Sequence, residues 1–244
     1  MSDITLNISN VTITYDGVHN VVNDANFSVL AGEFFGLIGL NGAGKTTLIK
    51  AILGLREQNQ GEITIMGRGT SDQESKLDLA FLPERFDPPW FLTGIEFLRF
   101  SLKLYGRKVD DAVFYEYAER LALDKKALKR KVQTYSKGMR QKLGLLGTVL
   151  TGCKLLILDE PMSGLDPRAR TLVKDMLLDL KKEGKTVFLS SHILADMDEI
   201  CDNVAVLHDN KILYVGHPGE LKEKTGSVNL ERAFLSYIEG GLAA

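Results

Sequence analysis

The sequence predicts an α/β fold with a parallel-sheet core, an N-terminal antiparallel β subdomain and an inserted α-helical subdomain. Three observations predict it. Gly39-Leu40-Asn41-Gly42-Ala43-Gly44-Lys45-Thr46 is a complete GxxxxGK[ST] loop set between an apolar strand and a helix. Leu155-Leu156-Ile157-Leu158 is almost wholly apolar and runs into Asp159-Glu160, as expected of a parallel strand covered on both faces. Strand and helix patterns alternate before and after a block, about Glu84 to Gly152, that holds no convincing strand.

Taken in order, Ile4–Ile8, Val11–Tyr15 and Ala25–Leu30 alternate like half-buried antiparallel strands, with Asp16-Gly17 as punctuation. The buried run Phe34–Ile38 leads into the glycine-rich loop, and Thr47–Leu53 reads as a helix closed by Gly54. Strands follow at Glu62–Met66 and Leu79–Leu82. Thr93 and Glu96 form a capping box for an amphipathic helix over Ile95–Tyr105, and helical patterns continue through Asp110–Leu121 and Ser136–Leu150. After Leu155–Leu158 come a helix over Pro167–Glu183, a strand Thr186–Ser190 and a helix Leu194–Ile200. Leu230, Ala233, Phe234, Tyr237 and Ile238 mark a last amphipathic helix, most simply packed on the core. One domain over 1–244 is expected, with 1–83 and 153–244 as core and β subdomain and 84–152 as the helical subdomain.

Composition narrows the function classes. The 244 residues suffice for a substantial core, and 30 Lys+Arg against 32 Asp+Glu make no electrostatic case for nucleic acid or an anionic membrane. Cys153 and Cys201 lie in or beside apolar segments without metal-binding spacing, so reduced core thiols are expected. There is no secretory signal and no run of about eighteen apolar residues. A soluble, intracellular chain is the expectation.

The glycine-rich loop carries the first chemistry. Its glycines let successive backbone N–H groups cradle a polyphosphate at the positive end of the helix dipole. Lys45 would reach the β- and γ-phosphates and the Thr46 hydroxyl would ligate Mg²⁺. Chance produces such a pattern on the order of once in a hundred chains of this length, and the strand and helix flanks make it rarer. A P-loop NTPase core that binds a nucleoside triphosphate follows. The Asp159-Glu160 pair stands at the C-terminal end of its strand, where open α/β sheets bind ligands. Asp159 would hold the metal, directly or through water, and Glu160 would polarise the attacking water. Alone, such a pair is often a solvated or capping pair; beside the phosphate loop its functional use is favoured.

A third segment is Tyr135-Ser136-Lys137-Gly138-Met139-Arg140-Gln141, in which Ser136 is a good N-cap. With the phosphate loop, the Asp159-Glu160 strand, Ser163-Gly164-Leu165-Asp166 and Ser190-Ser191-His192, its order and spacing resemble the nucleotide-binding subunit of ABC transporters over essentially the whole chain. The resemblance implies ATP as substrate, Mg²⁺ as cofactor and two nucleotides sandwiched between head-to-tail subunits. It implies that Tyr15 stacks on adenine and that Asn41, Gly42, Ala43, Gly44, Lys45, Thr46 and Thr47 bind the nucleotide. It implies that Ser136, Gly138 and Met139 address the γ-phosphate held by the other subunit. Asp166 would link the two sites, and His192 would contact the γ-phosphate beside Glu160 and Lys45. Membrane-spanning permease subunits on a separate chain are implied as partners, with a homodimeric ATPase pair on the inner face of the cell membrane.

Three positions depart from the commonest family pattern. Lys137 replaces the first signature glycine and Met139 its glutamine, a variant form seen among exporter-type ATPases. Glu84, in Leu82-Pro83-Glu84-Arg85, stands where the family usually has a glutamine that senses Mg²⁺ and water. Glutamate can approach the metal but cannot donate a hydrogen bond when ionised.

Phe86-Asp87-Pro88-Pro89-Trp90-Phe91-Leu92 follows, in the region that the resemblance sets beside the groove for the membrane partner. The sequence leaves open whether Trp90 is exposed on this loop or tucked under the helical subdomain. Lys125-Lys126 and Lys129-Arg130-Lys131 read as a solvated face rather than a lipid site. The rival class is an ABC-family ATPase outside transport, in DNA maintenance or translation. It would call for a long coiled-coil insertion, or for two cassettes with basic linkers, and the sequence has neither. A GTP switch would need an Asn-Lys-x-Asp segment, also absent.

Overall fold

The computed structural model describes residues 3–240. Its N-terminal third builds a four-stranded antiparallel sheet, in the order β2-β1-β4-β5, from β1 (Ile4–Thr14), β2 (Asn20–Leu30), β4 (Gln60–Ile65) and β5 (Arg68–Gly69). The two segments expected at Ile4–Ile8 and Val11–Tyr15 are one strand. Its pairing with β2 slips between Ile8 and Val11, and Asn10 sits there with φ of 51°. An inserted residue re-aims the strand without ending it, which is how a β-bulge imitates a break in the sequence pattern. Opposite the bulge, Gly61 is required: a Cβ on it would lie 2.3 Å from the Asn10 carbonyl oxygen.

The second sheet has six strands, in the order β10-β9-β3-β8-β7-β6. Here β3 is Phe34–Ile38, β6 Leu79–Leu82, β7 Leu155–Asp159, β8 Thr186–Ser191, β9 Asn203–His208 and β10 Lys211–Gly216. All neighbours run parallel except the edge pair β9–β10. Its central strands read as apolar runs because both faces are covered. Along β3, Phe34 and Ile38 join one core while Phe35 and Leu37 join the other. Along β7, Leu156 and Leu158 face the first core, and Leu155 and Ile157 the second. The second core fills the space between the two sheets around α1 (Lys45–Ile52), where Phe27, Phe35 and Phe188 stack with centroids 5.1–6.1 Å apart.

The first core lies under the remaining helices. These are α2 (Gly94–Leu104), α3 (Asp111–Arg120), α4 (Lys137–Val149), α5 (Pro167–Lys182), α6 (Leu194–Ile200), α7 (Pro218–Thr225) and α8 (Leu230–Gly240). The caps of α2 and α4 are those foreseen, and α3 has a cap at Asp110, where its helical pattern was expected to begin. Thr93 and Glu96 make both bonds of the capping box, Asp110 accepts from the Ala112 N–H, and Ser136 accepts from the Met139 N–H. Between Glu84 and Gly152 the described residues form helices and short turns, with one isolated bridge between Thr93 and Lys131. Cys153 and Cys201 are buried and unpaired, and burial raises both thiol pKa values.

The sequence reading assigned nothing between Cys201 and Asn229, and there it missed β9, β10 and α7. The signals were present. Asn203–His208 is an apolar run, and Asp209-Asn210 turns the chain with φ of 44° and 61°, the positive pair that a two-residue hairpin requires. Pro218 at the first turn and left-handed Gly226 just past the end bracket α7.

The consequence for function is positional. Strand order sets β8 between β3 and β7, with Ile38 opposite Ser191 and Asp159 opposite Ser190. The C-terminal ends of three strands therefore open on one crevice.

Candidate active site and family relationship

The phosphate loop leaves β3 and feeds α1 through Gly44, whose φ of 107° lies in the left-handed region. A Cβ there would come 2.8 Å from the Val21 carbonyl oxygen, so glycine is dictated by backbone and by space. Lys45 is buried. Its ammonium donates to the carbonyls of Gly39 at 2.7 Å and Leu40 at 3.4 Å, and it lies 3.8 Å from Glu160 Oε1.

Asp159, the last residue of β7, is buried with both carboxylate oxygens engaged by hydroxyls. Thr46 Oγ1 donates to Oδ2 at 3.1 Å and Ser190 Oγ to Oδ1 at 2.5 Å. The same Ser190 hydroxyl accepts the Glu160 N–H at 3.1 Å, and the Ser190 carbonyl shares that N–H at 3.2 Å. Glu160 itself has φ of 50°, a costly conformation for a residue with a side chain, held by this clamp on its N–H. From the other side Gln141, buried in α4, donates to the carbonyls of Glu160 at 3.5 Å and Pro161 at 3.2 Å. His192, just beyond β8, has Nδ1 at 2.8 Å from Glu160 Oε2. A carboxylate only accepts, so the ring donates through Nδ1.

These groups line a cleft of about 710 Å³ with Tyr15, Val21, Leu40, Asn41, Gly42, Gly44, Lys45, Thr46, Thr47, Glu84, Asp159, Glu160, Ser163 and His192 on its walls. Of the residues the sequence singled out, Ala43 lines the adjoining hollow, and Glu84 is exposed on the wall of the cleft. Tyr15 is 61% exposed and its hydroxyl is 3.1 Å from Thr47 Oγ1.

Besides Ala43, four of the expected site residues do not line this cleft: Ser136, Gly138, Met139 and Asp166. They gather instead at the N-terminal ends of α4 and α5. Asp166 caps α5 by accepting from the Ala169 N–H, Gly138 faces Leu165, and Lys137 packs over Gly164. Sequence reasoning missed Ser190 and Gln141 as supports of Glu160. Both were in quoted motifs, but only the fold shows that their side chains meet that backbone.

Among the described residues no helix is long and apolar enough to cross a membrane. Residues 22–163 match the protein family described as ABC transporter. An uncharacterized ABC transporter ATP-binding protein of Synechocystis is 40% identical over 199 residues, covering 80% of this chain and 56% of that protein. The Nod factor export ATP-binding protein I of Rhizobium leguminosarum is 35% identical over 235 residues, covering 92% and 73%. This chain thus spans little more than half the length of the cyanobacterial relative. A solved structure described as an ATP binding subunit of an ABC transporter superposes with a TM-score of 0.88 at 31% identity, over 96% of this chain and 99% of that one. The α/β fold is that of ABC ATPase cassettes. With a family match over more than half its length and a relative 35% identical over 92% of it, this chain belongs to the ABC transporter family.

Proposed function

We propose that this chain is an ATP-binding and ATP-hydrolysing subunit of an exporter-type ABC transporter, working as a pair with separate membrane subunits at the inner face of the membrane. One observation carries the reading. Lys45, Thr46, Asp159, Glu160 and His192, drawn from three strand ends, meet in one cleft at the start of α1. The loop amides and Lys45 bind and orient the β- and γ-phosphates. Glu160, anchored through its N–H and carbonyl, takes the proton of the attacking water, and the His192 ring fixes its second oxygen. Tyr15 offers its ring to the base.

The chemistry of the donor set fits Mg²⁺. A hydroxyl and a carboxylate 3.1 Å apart, Thr46 and Asp159, are hard oxygen ligands of the kind this ion takes alongside substrate phosphates. Glu84, on the wall of the cleft, would approach it directly or through water. When bound, the ion would neutralise charge on the phosphate oxygens. Among the described residues no group of three or more His, Cys, Asp or Glu could hold a metal unaided, so the ion is expected to come with the nucleotide.

The position of Ser136, Gly138 and Met139 outside their own cleft supports their use by a second subunit, with Asp166 beside them as the link. The helix start at Ser136 offers free amides to an anion. Lys137 and Met139, and the export ATP-binding protein among the relatives, support the exporter reading. Phosphate release from ATP by the purified chain, abolished by EDTA and by Lys45→Ala, tests the activity. Recovery of a multi-spanning membrane protein with the affinity-tagged chain from solubilised membranes tests the transport role, and a cytosolic complex alone would sink it.

A further inference from the structure

Arg56 lies outside the cleft, yet it holds one of the cleft's walls. It stands in the turn after α1, and its guanidinium lies over the Tyr15 ring with 3.7 Å from the central carbon to the ring centroid. One of its amino groups donates to the Thr14 carbonyl, next to Tyr15 in the chain. Its Nε is buried without a hydrogen-bond partner, alone in this among the described side-chain nitrogens and oxygens. A guanidinium held this close over a ring while its Nε goes without a hydrogen bond is oriented by the ring contact itself.

The rest of the turn is tied to the same strand end. Asn59 Oδ1 accepts the Thr14 N–H at 2.7 Å, and the Asn59 N–H reaches the Thr12 carbonyl at 2.8 Å. Tyr15 is thus fixed on one face by Arg56 and at its hydroxyl by Thr47 of α1, the residue after the metal-binding threonine. The exposed part of the side chain lines the cleft. A tyrosine that is 61% exposed would otherwise sample several rotamers and lose that freedom on binding.

We infer that Arg56 is a positioning residue for nucleotide specificity: it pre-orders the Tyr15 ring as a platform for a purine base and completes a guanidinium–phenol–base stack. This rests on the proposal that Tyr15 receives the base. Arg56 is not among the residues lining the phosphate cleft, so its effect is confined to the base.

Calorimetric titration of the full chain with Mg·ATP and with Mg·triphosphate, which lacks base and sugar, separates the two. Arg56→Ala should weaken ATP binding about 3- to 10-fold, the scale of one cation–π contact plus one ordered side chain, and leave triphosphate binding unchanged. Arg56→Lys, which keeps the charge but not the plane, should fall between, at an unchanged melting temperature of the nucleotide-free protein. In a Tyr15→Ala background, Arg56→Ala should add nothing. Equal loss for ATP and triphosphate, or full additivity with Tyr15→Ala, would overturn the inference. If Tyr15→Ala weakens ATP and neither Arg56 variant does, only Arg56 loses its role. If Tyr15→Ala has no effect on ATP, the base-stacking assignment falls and takes the inference with it.

Discussion

His192 Nδ1 meets Glu160 Oε2 at 2.8 Å, while Lys45 approaches the other oxygen of the same carboxylate at 3.8 Å. One buried carboxylate therefore stands between a ring that donates to it and the cation of the phosphate loop. Replacing it with an isosteric amide keeps the shape and removes the base. Glu160→Gln should bind Mg·ATP as tightly as the parent and hydrolyse it about 10²–10⁴ times more slowly. ATP-loaded dimers should accumulate on size exclusion. Hydrolysis at the parental rate would remove Glu160 from the role of base.

Ser136 caps a helix whose start is outside its own cleft, so its nucleotide should belong to another subunit. Ser136→Arg should leave nucleotide binding by the monomer nearly intact and abolish cooperative turnover. Mixed with Lys45→Ala subunits, it forms heterodimers with one intact composite site and one doubly damaged site. Activity should return towards half that of the parent if one site turns over alone. Demonstrated heterodimers with no recovery would count against the cross-subunit site.

Trp90 and Phe91 are 64% and 56% exposed and pack edge to face at 5.7 Å, on the loop between β6 and α2. Exposure settles the question that the sequence left open, and two exposed aromatics are natural anchors for a partner. Trp90→Ala or Phe91→Asp should weaken assembly with the membrane subunit in pull-down from membranes, with the ATPase of the isolated chain preserved. Unchanged assembly affinity by a folded variant would refute the docking site.

Gly144 in α4 gives room to that same loop. A Cβ on it would stand 2.7 Å from Phe86 Cδ1 and 2.8 Å from Leu82 Cδ1, and Phe86 in turn lies edge-on to Phe97 of α2 at 5.3 Å. Overpacking costs about 1–3 kcal/mol and better helix propensity returns up to about 1. Gly144→Ala should therefore destabilise the protein by roughly 1–2 kcal/mol in urea unfolding. An unchanged or higher midpoint would mean that Phe86 moves aside freely.

The sequence alone determined the local facts of this protein. Leu155–Leu158 had to be a strand covered on both faces because four successive apolar residues leave no side for water. Gly39 to Thr46 had to be a phosphate loop because its glycines, lysine and threonine have a use together that they lack apart. Helix starts at Thr93, Asp110 and Ser136 were legible because a cap is a contact between residues two or three apart. Tertiary structure decided everything that depends on which distant segments meet. Order in the sheet put Ser190 beside Asp159, so one serine hydroxyl serves two carboxylate-bearing residues 30 and 31 positions away. Helix packing brought Gln141 to the Glu160 carbonyl, and the turn after α1 brought Arg56 onto Tyr15. A bulge at Asn10 needs its partner strand to be seen as a bulge, and the β9–β10 hairpin joins the large sheet only because β3 is there to receive β9. Hydrogen bonds and ring contacts act over a few ångströms of space, and only a folded chain says which residues are that close.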